Sequence, residues 1–441
     1  MRHIYPHALF AAACLAVTAS AQDATTAFPL KNGDVWVMAG DSITAQHLHS
    51  NYFEAFCYAR YPKLTFAFRN SGVGGHTIPS TLARFEYDVA AWKPTVVSVE
   101  LGMNDSGGTP TDKFISNMGT MVERIRSINA RPVILAASPV NDGTTTARLA
   151  GRNVRLDEYA TALKGFCQKE KVPFADQFHA LVDVWGKNKP RENLANSLAS
   201  LRGLAADDSV AGVERLRSFL AAQDKEPIKA VSLQGDPVHP GPPGQLMMAA
   251  ALLKLLGAES FVSSATIDTD MAKPIAKGCT VSEVKVSDGV LAFDRLDDCL
   301  PFPIPVEARS ALPLAPDVFA LSEFTLTVIH LPAGEYQLKI DGIDCGRFSA
   351  KDLAAGVNLT ALPKANPIAD QGRAILKAVS DKEQVVSKWR SLSQKAHGKN
   401  ADPGSKDDLA ALTPKVQEAD AKIREAAKPR PRHYVVEPVT K

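Results

Sequence analysis

In "DPVHP", Asp236 to Pro240, a carboxylate and an imidazole stand three residues apart between prolines. That stiff spacing lets Asp236 reach the Nδ1–H of His239 and leaves Nε2 free to take a proton from a hydroxyl. A hydroxyl is on offer far upstream. In "VWVMAGDSITA" an apolar run stops at Gly40, and Asp41 and Ser42 follow. Two further stretches bring hydrogen-bond donors. The glycines of "NSGVGGHT", Asn70 to Thr77, allow a tight turn that can aim a backbone N–H into a pocket, and the spacing is not that of a dinucleotide loop. In "ELGMNDSGG", Glu100 to Gly108, the carboxamide of Asn104 could donate to a developing oxyanion. Each stretch alone has a plainer reading. Asp-x-x-His suits a surface turn, Gly-Asp-Ser a helix cap on Asp41 or Ser42, the glycine-rich loop a strand-to-helix connection, and Asn104 an Asx turn.

The elements around them favour the chemical reading. From about residue 33, apolar β-branched runs alternate with amphipathic stretches, the pattern of a parallel sheet flanked by helices. "DVWVMAG", "LTFAFRNSG", "TVVSVELG", "RPVILAASPV" and "VPFADQF" read as strands, with helical segments between them. Three of the four stretches therefore follow successive strands, where open α/β sheets bind ligands. Residues 180–232 read as a helical insertion, and "GQLMMAAALLKLLGA" as an apolar helix packed on the sheet. From about 261 to 365 short alternating strands indicate a small antiparallel β unit. A periodic helix follows from 366, and the charged, Pro-rich tail toward 441 is expected to be partly disordered.

Taken in order, "GDSI", "NSGVGG", "GMND" and "DPVH" resemble the blocks of the SGNH or GDSL hydrolases, over about residues 34–258. Those blocks are a GDS serine, a glycine in N-x-x-x-x-G, an asparagine in G-x-N-D, and D-x-x-H. The resemblance implies a three-layer α/β/α, flavodoxin-like hydrolase domain over residues 22–260. It implies Ser42 as nucleophile, His239 as general base and Asp236 as its orienting partner. The N–H groups of Ser42 and Gly75 and the Asn104 side chain would form the oxyanion hole, and no cofactor or metal is required. Two positions depart from the family pattern. His76 stands where many relatives carry Asp or another small polar residue, and Ile43 stands for the leucine of GDSL. His76, Asp105 and Asn141 are the candidates for substrate contact.

The bulk numbers bound the partners. The chain has 441 residues, enough for one main domain and an appendage, and its 50 basic and 48 acidic side chains leave a net charge of +2. That balance argues against a nucleic-acid groove. Residues 1–21 read as an export signal, with Arg2, the short apolar core "ALFAAACLAV" and "ASA" at a cleavage site. The expected location is periplasmic or extracellular, and a lipid anchor at Cys14 fits less well. Five cysteines would remain after cleavage, and Cys279 with Cys299, or either with Cys345, is the expected disulfide. An exported esterase with an open cleft suits removal of acetyl groups from carbohydrate. A lipase, lysophospholipase or thioesterase of the same mechanism is the alternative, and the helical insertion could supply the trough a long acyl chain needs. A noncatalytic glycan-binding scaffold is the reading of a different class, and competent residue types at every catalytic position argue against it.

Overall fold

The computed structural model of the protein describes residues 27–225, 231–397, 401–402 and 404–439. The expected export signal lies outside them.

Five parallel strands form the central sheet: β1 (Asp34–Gly40), β2 (Phe66–Gly72), β3 (Val96–Glu100), β4 (Arg131–Leu135) and β5 (Phe174–Ala175). Their order is β2-β1-β3-β4-β5, the flavodoxin-like arrangement. Side chains alternate across the sheet as the strand period requires. Trp36, Met38, Phe66 and Phe68 enter one core with α2 (His49–Arg60) and α9 (Pro242–Leu255). Val37, Val97, Val99 and Ile134 enter the other with α5 (Thr111–Ser127) and α6 (Arg152–Glu170). Between lie the short helices α1 (Ser42–Ala45), α3 (Ile78–Ala83) and α4 (Phe85–Asp88). The insertion forms α7 (Gln177–Ala205) and α8 (Val213–Gln223).

Register sets the working edge. Gly40 pairs with Gly72 on one side and Glu100 on the other, and Glu100 pairs with Leu135. The loops after β1, β2 and β3 therefore leave the sheet side by side. Both pairing glycines are required by contact. A Cβ on Gly40 would lie 2.0 Å from Thr44 Oγ1, and one on Gly72 would lie 2.5 Å from the backbone nitrogen of Ala45. Their bareness lets α1 sit down on the strand ends.

The β unit differs from expectation in two ways. It is a sandwich, and one of its sheets is mixed. Strands β6 (Phe261–Asp268), β7 (Lys273–Lys277), β8 (Cys279–Ser287), β9 (Val290–Asp297), β10 (Glu323–Ile329), β11 (Glu335–Ile340), β12 (Ile343–Ser349) and β13 (Val357–Asn358) are accompanied by α10 (Pro316–Ala320) and α11 (Ala350–Ala355). One sheet runs β13-β10-β6-β7, with β10 parallel to β6. The other runs β12-β11-β14-β9-β8, and β14 (Arg432–Pro438) comes from the end of the chain. The tail is thus ordered in large part. After α12 (Pro367–His397) it forms α13 (Gly404–Ala426) and then a central strand, because tertiary pairing supplies the burial its composition lacks. The expected disulfide is not formed. Cys57, Cys167, Cys279, Cys299 and Cys345 are all free thiols.

Among the described residues no helix is long and apolar enough to cross a membrane.

Candidate active site

At the end of β1 the chain turns sharply into α1, and Asp41, not Ser42, is the cap. Its Oδ1 accepts from the Ile43 N–H at 3.0 Å. Ser42 becomes the first residue of the helix, with a partly exposed side chain. Ile43 is buried, as an apolar replacement for leucine should be.

Ser42 Oγ lies 2.8 Å from His239 Nε2, across 197 residues of sequence. On the other side of the ring, Nδ1 lies 3.0 Å from Asp236 Oδ2 and 3.2 Å from Oδ1. The "DPVH" turn makes this geometry locally. Asp236 Oδ1 accepts from the backbone N–H groups of Val238 and His239, each at 2.8 Å, and the Asp236 N–H closes the turn on the His239 carbonyl at 3.2 Å. Although partial burial opposes it, those N–H groups and the imidazole hold the Asp236 carboxyl below the usual carboxylate range. The acid stays ionised and can stabilise an imidazolium.

The groups expected as oxyanion donors come from the loops after β1, β2 and β3. Gly75 turns through φ +75°, a left-handed conformation that glycine adopts without strain. Among the described residues neither the Ser42 nor the Gly75 N–H has an acceptor within the chain. Asn104 Nδ2 donates to the His76 carbonyl at 3.1 Å and lies 3.4 Å from Asp41 Oδ2, which ties the third loop to the second.

The three substrate-contact candidates separate here. His76 stays partly exposed beside Gly75, with Nδ1 accepting from Arg84 Nε at 3.1 Å. Burial and that guanidinium push its pKa down, so its ring is neutral. Asp105 and Asn141 turn inward instead. Asp105 is buried and accepts from the Ile78 N–H at 3.2 Å, fastening the second loop to the third. Asn141 is buried too. Its Nδ2 donates to Glu192 at 2.7 Å, and its backbone N–H donates to the Pro237 carbonyl at 2.7 Å. It holds the Asp236–His239 turn through the Pro237 carbonyl.

Several positioning groups escape a sequence reading. Gln245, on α9, donates to the Pro240 carbonyl at 3.0 Å and accepts from His49 Nδ1 at 2.9 Å. His49 Nε2 lies 2.8 Å from Glu100 Oε2. Burial alone would lower the His49 pKa, but Glu100 and Gln245 outweigh it and raise it. Arg84 binds Asp88 and Ser71 as well as His76, which braces the second loop. The buried acid Glu100 inside the third stretch was the one sequence signal for this layer, since an acid at a buried strand end needs partners.

Serine, imidazole and carboxylate in one hydrogen-bonded line, on the carboxyl edge of a doubly wound sheet, define the serine-hydrolase class of site. Residues 38–246 match the model of the GDSL-like lipase/acylhydrolase family. An acetylxylan esterase of Geobacillus stearothermophilus is 26% identical over 141 residues, covering 30% of this chain and 64% of that protein. The chain thus spans less than two thirds of the length of this curated relative. A gut microbial diltiazem-metabolizing enzyme has a solved structure that matches with a TM-score of 0.71 at 21% identity, over 94% of this chain and 100% of that one. The likeness is one of fold, and its extent takes in the β sandwich and the C-terminal helices. A solved structure of an acetylxylan esterase from Geobacillus stearothermophilus matches over 52% of this chain and 96% of that chain, at 20% identity and a TM-score of 0.37.

Proposed function

We propose that this protein is an exported serine esterase that removes acetyl groups from carbohydrate. The observation that carries the reading is the unbroken line Ser42 Oγ, His239 Nε2 and Nδ1, Asp236, with the N–H groups of Ser42 and Gly75 left open beside it.

An ester carbonyl docks with its oxygen toward those two N–H groups and the Asn104 carboxamide. Nε2 of His239 takes the Ser42 proton as Oγ attacks, and the tetrahedral oxyanion is held by the open Ser42 and Gly75 N–H groups, with Asn104 joining them by turning one N–H away from Asp41 Oδ2. Asp236 stabilises the imidazolium without taking its proton. The ring then protonates the departing alcohol, and water repeats the cycle on the acyl-enzyme to release the acid. The helix turn fixed by Asp41 aims the Ser42 N–H at the site, so the cap and the oxyanion donor are one device. Carbohydrate as the alcohol is supported by the relative that is an acetylxylan esterase and by the hydroxyl and carboxamide side chains that line the cleft beside Gly74. Export is supported by the apolar, small-residue character of positions 1–21.

The test is a series of p-nitrophenyl esters of increasing acyl length beside acetylated sugars, with wild type and Ser42→Ala. Wild type should favour acetyl, and Ser42→Ala should lose about 10³-fold or more in kcat. Full hydrolysis by Ser42→Ala would refute the mechanism. A preference for long chains would refute deacetylation and leave the triad standing.

A further inference from the structure

Beside the loop that carries Gly75 lies a cleft of about 370 Å³, within the range of small-molecule sites. Gly74 and His76 line its near rim, and a Cβ on Gly74 would lie 4.0 Å from the Ser42 Cβ. Its far wall belongs to α12, where the exposed residues Ser387, Ser391 and Gln394 follow one another at helical spacing on one face. Half-buried Tyr87 also lines it.

The floor is ionic. Arg390 Nε and Nη2 donate to the two Asp88 oxygens at 2.7 and 2.8 Å, and Nη1 donates to the Gly72 carbonyl at 2.9 Å. Three of its five N–H groups are thus engaged. Arg84, buried beneath, also binds Asp88. Two guanidiniums share one carboxylate, and these three are the charged groups that line the cleft. The floor therefore keeps one unit of positive charge, and neutral His76 adds none. Hydroxyl and carboxamide groups along one wall suit the hydroxyls of a sugar ring. An aromatic side chain suits its C–H face. Surplus positive charge suits a carboxylate.

We propose that this cleft holds a carboxylate-bearing sugar unit of the ester substrate, so that the substrate is an acetylated acidic glycan rather than a neutral one. The inference rests on the deacetylase reading above. It gives the C-terminal helix a share in the substrate site.

Charge changes at exposed Gln394, one turn along α12 from Arg390, test it. Relative kcat/KM is compared for acetylated xylo-oligosaccharides with and without a uronic acid unit, normalised to p-nitrophenyl acetate for each protein. Wild type should prefer the acidic substrate at low salt, and the preference should shrink several-fold between about 0.05 and 0.5 M NaCl. Gln394→Glu should lower the acidic-to-neutral ratio by about fivefold, and Gln394→Lys should raise it comparably. If both ratios stay within about twofold of wild type while neutral acetylated sugar is still cleaved, the cleft assignment is overturned and the deacetylase reading survives. If wild type cleaves p-nitrophenyl acetate but neither sugar ester, the carbohydrate reading falls and this inference falls with it.

Discussion

Asp41 stands one residue ahead of Ser42 and does two jobs. Its Oδ1 caps α1, and its Oδ2 faces Asn104. Burial, with Glu100 nearby, raises its pKa to about 7 in the folded protein despite the Ile43 N–H and His49, which act the other way. In the unfolded chain the same acid titrates near its ordinary value of 3.8. Between those two values the folded state holds more protons than the unfolded state, so raising the pH removes stability. The loss begins near pH 4, grows toward about pH 7, and levels off above it. Asp41→Asn keeps a capping oxygen and cannot ionise. Urea unfolding of wild type and Asp41→Asn across this range should show the variant with a flatter slope, by as much as about 1.4 kcal/mol per pH unit. Parallel slopes would mean that Asp41 is not the group titrating.

Helix α12 is fastened to the hydrolase domain by charges taken out of water. Lys382 is fully buried, with Nζ 2.8 Å from Glu54 on α2 and 2.9 Å from the Phe68 carbonyl on β2, and it also contacts Glu383. Burial and the neighbouring Glu383 raise the Glu54 pKa, while the Lys382 ammonium keeps Glu383 ionised in spite of its burial. Close by, Arg69 on β2 makes paired bonds to Asp420 on α13, at 3.0 and 2.6 Å. Trp92 and Trp389 meet with ring centroids 3.7 Å apart. Removing one partner from such a cluster leaves buried charge without compensation. Lys382→Met should therefore cost about 3–5 kcal/mol in chemical unfolding. A cost under about 1 kcal/mol would mean that the two carboxylates take up protons and the cluster contributes little.

The whole molecule is closed by its last strand. β14 lies between β11 and β9 and pairs with both, and Tyr434 and Val436 sit in the core of the sandwich with Phe293 and Leu338. The other sheet is tied in through buried Arg295, which donates to Ser263 Oγ at 2.8 Å and the Thr325 carbonyl at 3.0 Å. The sandwich meets the hydrolase domain at Arg60, whose guanidinium reaches the carbonyls of Phe261 and Leu321 at 3.3 and 2.8 Å. Deleting residues 430–441 removes a central strand, splits the sheet and exposes its hydrogen-bonding edges. The shortened chain should aggregate or lose its cooperative unfolding transition. A monodisperse product with an unchanged melting temperature would show that the sandwich does not depend on β14.

The order of elements through α9 and the four chemical stretches were legible in the sequence because both are local. Strand and helix periods repeat within a few residues, and Ser42, Gly75, Asn104, Asp236 and His239 announce themselves by type and spacing. What each side chain faces is not local. Asp105 and Asn141 look like pocket residues by position, yet each finds a buried partner from another loop or helix. The tail is polar in composition, yet it supplies the strand that completes a sheet begun more than a hundred residues earlier. The cleft beside Gly74 and His76 joins the loop after β2 to a helix some three hundred residues away. Sequence therefore determined which groups are candidates for the chemistry and where they stand along the chain. Only the packing of distant elements decided which of them face solvent, because burial and hydrogen-bond pairing are properties of the assembled fold.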